Sequence, residues 1–312
     1  IKRYILFVIV ILAFLISCTN GETANKNQSA KSEQDAYIKA DELETNESRA
    51  TASAFLDDFV NVEIRRYSDE QIYLELAENR IKDAAKYRIY LDDVKMNEYE
   101  WTFNSGLALD IDTFCSKPVT LKIDILDMDD AQLATYVLKN IMILDLSNEK
   151  ALESAEIYKQ AETIVVLGQG NINSEDLSFL SDIGGLTSLF VVPYWRDAIN
   201  EIDLSQIGAM ENLEYMDVDC LSVTGTEVLS HMGNLMYLDF NETVIDAESF
   251  SIGIPNLVVL DTKYFSRFDY LPSLKELTLT DDSTMNYQDQ YAMQLERLNF
   301  ESCSDMDNID FI

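Results

Sequence analysis

A short hydrophobic phrase recurs along the second half of the chain. It reads Leu-x-x-Leu-x-hydrophobic or a close variant, and its lead apolar residues stand at positions 164, 186, 213, 235, 257, 274 and 295. Neighbouring leads are therefore 22, 27, 22, 22, 17 and 21 residues apart. The alternation inside each copy predicts a short strand, and a recurrence every 20 to 30 residues, roughly, is typical of stacked structural repeats.

Residues 55–146 show a different pattern, in which apolar and polar residues alternate with a period of two. The clearest run covers residues 119–125, where Val, Leu and Ile alternate with Thr, Lys and Asp. Several such runs, separated by Asp, Asn and Ser, predict an antiparallel β-sandwich that resembles immunoglobulin-like modules. Trp101 is expected in the core of this sandwich, with a ligand contact as the alternative.

Residues 147–160 have a helical spacing and lie between these two regions. Leu152, Ala155 and Tyr158 share one helix face, and Ser147 is a suitable N-cap. We expect this helix to cover the exposed first edge of the stacked strands, because the end of such a stack otherwise exposes its core.

The first residues have the layout of an export signal. Two basic residues precede an apolar run over residues 4–16 that is too short to span a bilayer comfortably. The run ends in Leu-Ile-Ser-Cys, which resembles the lipobox of bacterial lipoproteins. The resemblance implies that residues 1–17 are a cleaved signal peptide and that Cys18 carries the lipid anchor. An ordinary signal peptide or a short anchor helix is the alternative.

The segment that follows the predicted anchor is polar. Residues 18–54 are rich in Asn, Glu, Lys, Ser, Ala and Thr and contain few large apolar residues. Because such a segment buries too little surface to order itself, we expect a disordered tether. The implied location is the extracytoplasmic face of a bacterial membrane, to which the protein is held by lipid. The chain begins with Ile1 instead of Met, which leaves a fragment and a non-standard start codon both open.

The recurring phrase resembles the leucine-rich repeat family, in particular the type of about 22 residues found in internalin-like bacterial surface proteins. The polar residues directly before the lead leucines carry part of the resemblance, namely Asn212, Asn234, Asn256 and Ser273. The family's turn asparagine is missing, and its places hold Leu221, Thr243, Phe265 and Asp282. The resemblance implies a leucine-rich repeat solenoid over residues 147–312, including the cap helix, after an N-terminal immunoglobulin-like β-sandwich over residues 55–146. The expected fold class is therefore mixed β and α/β.

One outward-facing column of the predicted strands carries three acids in succession. The column consists of Gly168, Phe190, Asp217, Asp239, Asp261, Thr278 and Asn299. Like charges that lie directly opposite one another destabilise a sheet, so a cation above them would remove that cost. A basic side chain of a partner or a calcium ion is suitable, and a column that is only solvated is the alternative. The candidate binding surface comprises Tyr215, Asp217, Asp219, Tyr237, Asp239, Asn241 and Asp261.

The charge of the chain narrows the choice of partner. With 56 acidic and 23 basic residues, the formal net charge is -33. Such a chain repels phosphate backbones, which argues against nucleic acid, and it attracts basic proteins or metal cations unless the charge serves solubility alone. The four cysteines have no metal-ligand spacing. The single histidine, His231, lies outside any recognisable catalytic motif, so we expect no enzyme, no cofactor and no resident metal.

The leading hypothesis is a membrane-anchored lipoprotein that uses its strand surface for protein–protein recognition outside the cell. One alternative is a structural envelope protein without a soluble ligand. Another is a carbohydrate-binding surface protein, which the tyrosines and tryptophans would permit.

Overall fold

The computed structural model describes residues 60–66, 68, 70–79, 81, 83–100, 106–148, 151–194, 198–240, 243–245, 253–262, 271–280 and 295–301. The predicted signal peptide, Cys18 and the predicted tether lie outside these residues, as do Trp101 and Asn241. Within the described part of the chain, no helix combines the length and the apolar character that crossing a membrane requires.

Among the described residues, eleven strands form one mixed sheet. In spatial order they are β4 (Val94–Glu100), β3 (Lys86–Leu91), β6 (Val119–Leu126), β7 (Gln132–Asp145), β8 (Thr163–Gly168), β9 (Ser188–Pro193), β11 (Tyr215–Val218), β13 (Tyr237–Phe240), β15 (Val259–Thr262), β16 (Glu276–Thr280) and β17 (Arg297–Glu301). The strands from β4 to β6 pair antiparallel, and every pair from β8 to β17 is parallel.

Strand β7 joins the two halves of this sheet. Its first part pairs antiparallel with β6, and residues 141–145 pair parallel with β8. The sheet therefore continues across residue 146, where the sequence pattern predicts that one fold ends and another begins. The predicted fold class, an immunoglobulin-like β-sandwich followed by a leucine-rich repeat solenoid, is wrong. The described residues are mostly β and form a large open mixed sheet with few helices.

The physical reason for this error lies at the edge of β8. A strand edge presents unpaired backbone N–H and C=O groups, which a neighbouring strand satisfies directly. The 14-residue strand β7 supplies that pairing with its final residues. The expected helix is a 3-10 helix, Leu152–Gln160, and Ser147 does not cap it. The Ser147 hydroxyl donates instead to Asp145 Oδ1, 2.7 Å away.

A second, antiparallel sheet covers part of one face of the large sheet. This small sheet consists of β1 (Val60–Arg66), β2 (Gln71–Asn79) and β5 (Gly106–Asp110), and the short helix α1 (Ile111–Cys115) follows it. Its apolar residues, such as Ile72 and Leu74, share one buried cluster with residues of β3, β6, β7, β8 and β9. As a result, every residue of β8 is buried.

The opposite face of the parallel strands packs on short elements that connect them. These are two 3-10 helices, Ser174–Asp182 and Thr226–His231, the helix α2 (Leu204–Ile207) and a parallel sheet of β10 (Glu201–Asp203), β12 (Ser222–Thr224) and β14 (Val244–Ile245). The lead leucines at positions 213, 235, 257 and 274 are all fully buried in this core. The hydrophobic phrase thus fills one continuous cluster behind the sheet.

The polar residues before the lead leucines tie successive turns together. The Asn212 Nδ2 atom donates to the Gly184 carbonyl at 2.8 Å, and Asn234 donates to the Glu211 carbonyl at 3.0 Å. Asn256 and Ser273 donate in the same way to the carbonyls of Gly233 and Pro255, both at 2.6 Å. Each bond satisfies a turn carbonyl one strand earlier, so these residues fix the stacking of neighbouring strands.

The buried hydroxyl of Thr243 hydrogen-bonds the backbone at one of the places where the turn asparagine of leucine-rich repeats is missing. It donates to the carbonyls of Cys220 at 2.8 Å and Val218 at 3.1 Å, and it accepts from the Cys220 N–H at 3.4 Å. A side chain as short as threonine is sufficient here because it lies fully buried against the preceding turn.

Candidate functional site

Three aspartates lie side by side on adjacent parallel strands. The register places Asp217 of β11 opposite Asp239 of β13, and Asp239 opposite Asp261 of β15. All three side chains are partly exposed. Adjacent strands are about 4.8 Å apart, so the outer two aspartates are separated by roughly 10 Å at their backbones. We call these three residues the acidic column.

The position of the acidic column is occupied by an aromatic residue on the preceding strand and by uncharged polar residues on the two following strands. Phe190 of β9 lies opposite Asp217, and Thr278 of β16 lies opposite Asp261. The Asn299 side-chain amide on β17 donates to the Thr278 hydroxyl at 3.4 Å. The three charges therefore occupy only the central strands, between a phenyl ring on one side and neutral polar groups on the other.

An aromatic stack runs beside the acidic column. It consists of Phe190, Tyr215 and Tyr237. The Tyr215 and Tyr237 rings are parallel, with their centroids 4.2 Å apart, and the Phe190 and Tyr215 centroids are 5.0 Å apart. Tyr237 is only 3% exposed, whereas Tyr215 is partly exposed. The ring of Tyr237 therefore offers a partner little contact area, so any effect of Tyr237 on binding must come through its hydroxyl.

The Tyr237 hydroxyl links the aromatic stack to the acidic column. It donates a hydrogen bond to Asp239 Oδ2 at 3.1 Å. Burial raises the pKa of Tyr237 well above its usual value, and unfavourable electrostatic interactions of its phenolate form with Tyr215, Asp239 and other neighbours raise it further. The pKa of Tyr215 is raised well above its usual value for the same first reason, burial, with Asp217 next. Both phenols therefore stay protonated, so that Tyr237 remains a donor to the carboxylate.

The other predicted site residues lie apart from this pair of columns or outside the described chain. Asp219 follows β11, has an exposed side chain and donates its backbone N–H to the Val191 carbonyl at 3.0 Å. Asn241 and Cys18 lie outside the described residues. The candidate set leaves out Phe190, because a search for polar contacts does not select an apolar residue. The sequence pattern nevertheless places Phe190 in the same column as Asp217.

Among the described residues, the two cysteines and His231 do not form a second site. Burial raises the pKa of Cys220 to about 12 and that of Cys115 to about 11, so both thiols are poor nucleophiles. His231 is exposed, with its Nδ1 atom 3.2 Å from the Ser230 hydroxyl. In the described part of the chain, no group of three or more His, Cys, Asp or Glu residues is arranged to hold a metal ion.

A polar hollow of about 310 Å³ lies on the side of the short connecting elements. Its lining includes Asn171, Glu201 and Asp203. The Asp203 carboxylate already accepts hydrogen bonds from the Ser205 N–H at 3.0 Å and the Gln206 amide at 2.7 Å. This carboxylate therefore caps helix α2 and closes its own turn.

Comparison with known proteins finds no relative of this chain. No family model, no curated protein and no solved structure matches the chain. The resemblance to the lipobox consequently remains a prediction from the sequence. The resemblance to leucine-rich repeats also remains a prediction, except for the solenoid fold class, which the large mixed sheet contradicts. The function must be argued from the acidic column itself.

Proposed function

We propose that this protein is a lipid-anchored lipoprotein on the extracytoplasmic face of a bacterial membrane, where it recognises a basic protein partner through the acidic column. The observation that carries the proposal is the register of Asp217, Asp239 and Asp261 on three adjacent strands. Three like charges at this spacing repel one another, and a partner's Lys or Arg side chains would relieve that repulsion.

The charge of the whole chain supports the choice of a basic partner. A formal net charge of -33 attracts a basic protein over long distances and accelerates its encounter with the acidic column. The same charge opposes close association with a second copy of the chain, because two such molecules repel each other. A basic protein is therefore a better candidate than self-assembly.

The spacing of the acidic column suggests the shape of a suitable probe. A helix rises about 1.5 Å per residue, so lysines at positions i, i+3 and i+7 span about 10.5 Å on one face. This length matches the roughly 10 Å between Asp217 and Asp261. An extended peptide with lysines at i, i+2 and i+4 spans about 13 Å and fits less well.

The test measures binding of such a helical peptide to the chain by fluorescence anisotropy. Changing Asp217, Asp239 and Asp261 together to Asn should weaken binding about tenfold or more and flatten its dependence on salt. The matched control changes three exposed aspartates elsewhere, Asp93, Asp176 and Asp182, to Asn. The control has the same net charge as the test variant, so it separates the acidic column from the general field of the protein.

Three results would contradict the proposal. The first is equal loss of affinity in both triple variants, because general charge would then explain binding. The second is no loss in either variant, which would leave the acidic column merely solvated. The third is binding of calcium, measured by titration calorimetry without peptide, that is lost in the acidic-column variant and that blocks the peptide, because the metal would then be the natural cation.

The membrane part of the proposal rests on the Leu-Ile-Ser-Cys sequence at residues 15–18. Changing Cys18 to Ala should release the protein from the membrane fraction of a bacterial host and abolish its labelling by a clickable fatty acid. A Ser17→Ala variant keeps a small residue before the cysteine and should still be labelled. Lipid labelling of the Cys18→Ala protein would contradict the predicted anchor.

A further inference from the structure

Tyr237 stands between a rigid aromatic stack and the central carboxylate of the acidic column. Its ring is parallel to the ring of Tyr215, which in turn contacts Phe190. Phe190 is completely buried and belongs to the core beneath the small sheet. The position of the Tyr237 ring is therefore set by a chain of ring contacts that begins in the core and ends at the acidic column.

We propose that Tyr237 is a positioning residue that holds the Asp239 carboxylate ready for the partner's cation and makes Asp239 the main anchor of the interface. This inference rests on the proposed function, because it assigns the roles of residues within the same site. It differs from a contact role, since Tyr237 is 3% exposed and its hydroxyl donates to Asp239 Oδ2.

The advantage of such an arrangement is preorganisation. A carboxylate that is free to rotate loses side-chain entropy when it binds, whereas one already held by a hydrogen bond loses less. A carboxylate accepts about four hydrogen bonds, whereas a phenol donates only one. A tyrosine held by stacked rings is a suitable support because its own motion is already restricted by packing.

Asp239 is also the residue at which the charges converge. Asp217 lies opposite it on one side and Asp261 on the other, so Asp239 has two neighbouring carboxylates in the register. Each outer aspartate has only one, because Phe190 and Thr278 occupy the next positions. A cation placed above Asp239 therefore meets the largest local negative charge and relieves the largest repulsion.

A double-mutant cycle with the helical lysine peptide tests this role. Tyr237→Phe removes the hydroxyl and keeps the ring, and it should weaken binding about three- to tenfold, the range expected when one more side chain must be ordered on binding. Asp239→Asn should weaken binding by at least as much. If Tyr237 acts through Asp239, adding Tyr237→Phe to Asp239→Asn should cause no further loss.

Two controls distinguish positioning from a general effect on the fold. Tyr90→Phe makes the same chemical change on β3, away from the acidic column, and should leave binding unchanged. The near-ultraviolet circular dichroism of Tyr237→Phe should show that the rings remain ordered, because only an oxygen atom is removed. Urea denaturation of each variant provides the matching check on stability.

The outcomes separate this inference from the proposed function. If Asp239→Asn weakens binding and Tyr237→Phe does not, the acidic column binds without help from Tyr237 and the inference is wrong. Full additivity of the two losses would also contradict it, because Tyr237 would then act independently. If neither Asp239→Asn nor the triple acidic-column variant changes binding, the proposed function fails and this inference fails with it.

Discussion

The outward positions of β8 and β9 are apolar, whereas those of β11, β13 and β15 include tyrosine and aspartate. In the first region they hold Val165, Leu167, Phe190 and Val192, and all four are buried in the core shared with the small sheet. In the second region the acidic column is partly exposed. The two regions share strand direction and mostly apolar inward residues, so the difference follows from what lies over each. Outward residues become core where the small sheet covers them, and beyond the small sheet the aspartates of the acidic column stay partly exposed.

A buried cation fastens the small sheet to the large one. Arg66, at the end of β1, has a guanidinium 3.5 Å from Asp145 at the end of β7, and its Nε atom donates to the Ser68 carbonyl at 3.0 Å. It also donates to the Tyr194 hydroxyl and lies over the Tyr194 ring, 3.2 Å from the centroid. The small sheet is therefore held on the large sheet by a specific polar contact as well as by apolar packing.

The largest expected effect comes from two residues that lie opposite each other, Phe190 and Asp217. Phe190→Ala should lower the free energy of unfolding by about 3–5 kcal/mol, because it leaves a cavity in the core beneath the small sheet. Asp217→Ala should change it by no more than about 0.5 kcal/mol. Urea denaturation followed by circular dichroism measures both. Similar losses in the two variants would contradict the division between the covered and the uncovered region.

A smaller but still substantial effect is expected at Arg66, which holds the small sheet on the large one. Arg66→Met should lower the free energy of unfolding by about 3 kcal/mol, because it leaves the Asp145 carboxylate without its buried partner. Hydrogen exchange should rise first in β1, β2 and β5 if the small sheet loosens before the rest. The surface pair Lys117–Asp92 provides the control, since Lys117→Met should cost less than about 1 kcal/mol. Uniform exchange across both sheets would show that Arg66 does not act locally.

Part of this division could be predicted from the sequence. The columns of the later strands are confirmed, because Tyr215 lies opposite Tyr237 and the three aspartates lie opposite one another. Period-two alternation with one exposed face carries this information, since a shift by one residue would bury the aspartates. The register of β11, β13, β15, β16 and β17 therefore follows from the hydrophobic phrase alone.

The register of the first copy is wrong by three residues. Ile164 lies opposite Leu189, the second leucine of the next copy, and Phe190 lies opposite Val165 rather than Gly168. The reason is that β8 is buried on both faces, so its residues 164–167 are all apolar and give no alternation from which to set the register. The small sheet could not be predicted from the sequence either, because β5 pairs with β2 through residues that are distant in sequence, such as Leu74 and Leu107.

The smallest expected effect connects the uncovered region to its proposed role. Asp239→Asn removes one charge from between two others and keeps an oxygen that accepts from Tyr237, so it should raise the free energy of unfolding by about 0.5 kcal/mol at low salt. The gain should shrink at about 1 M salt, where screening acts over about 3 Å. The same substitution should weaken binding of the lysine peptide, so stability and recognition would change in opposite directions. A loss of stability at low salt would instead show that the charge of Asp239 itself stabilises the fold, and the acidic column would then be structural, like the apolar residues under the small sheet.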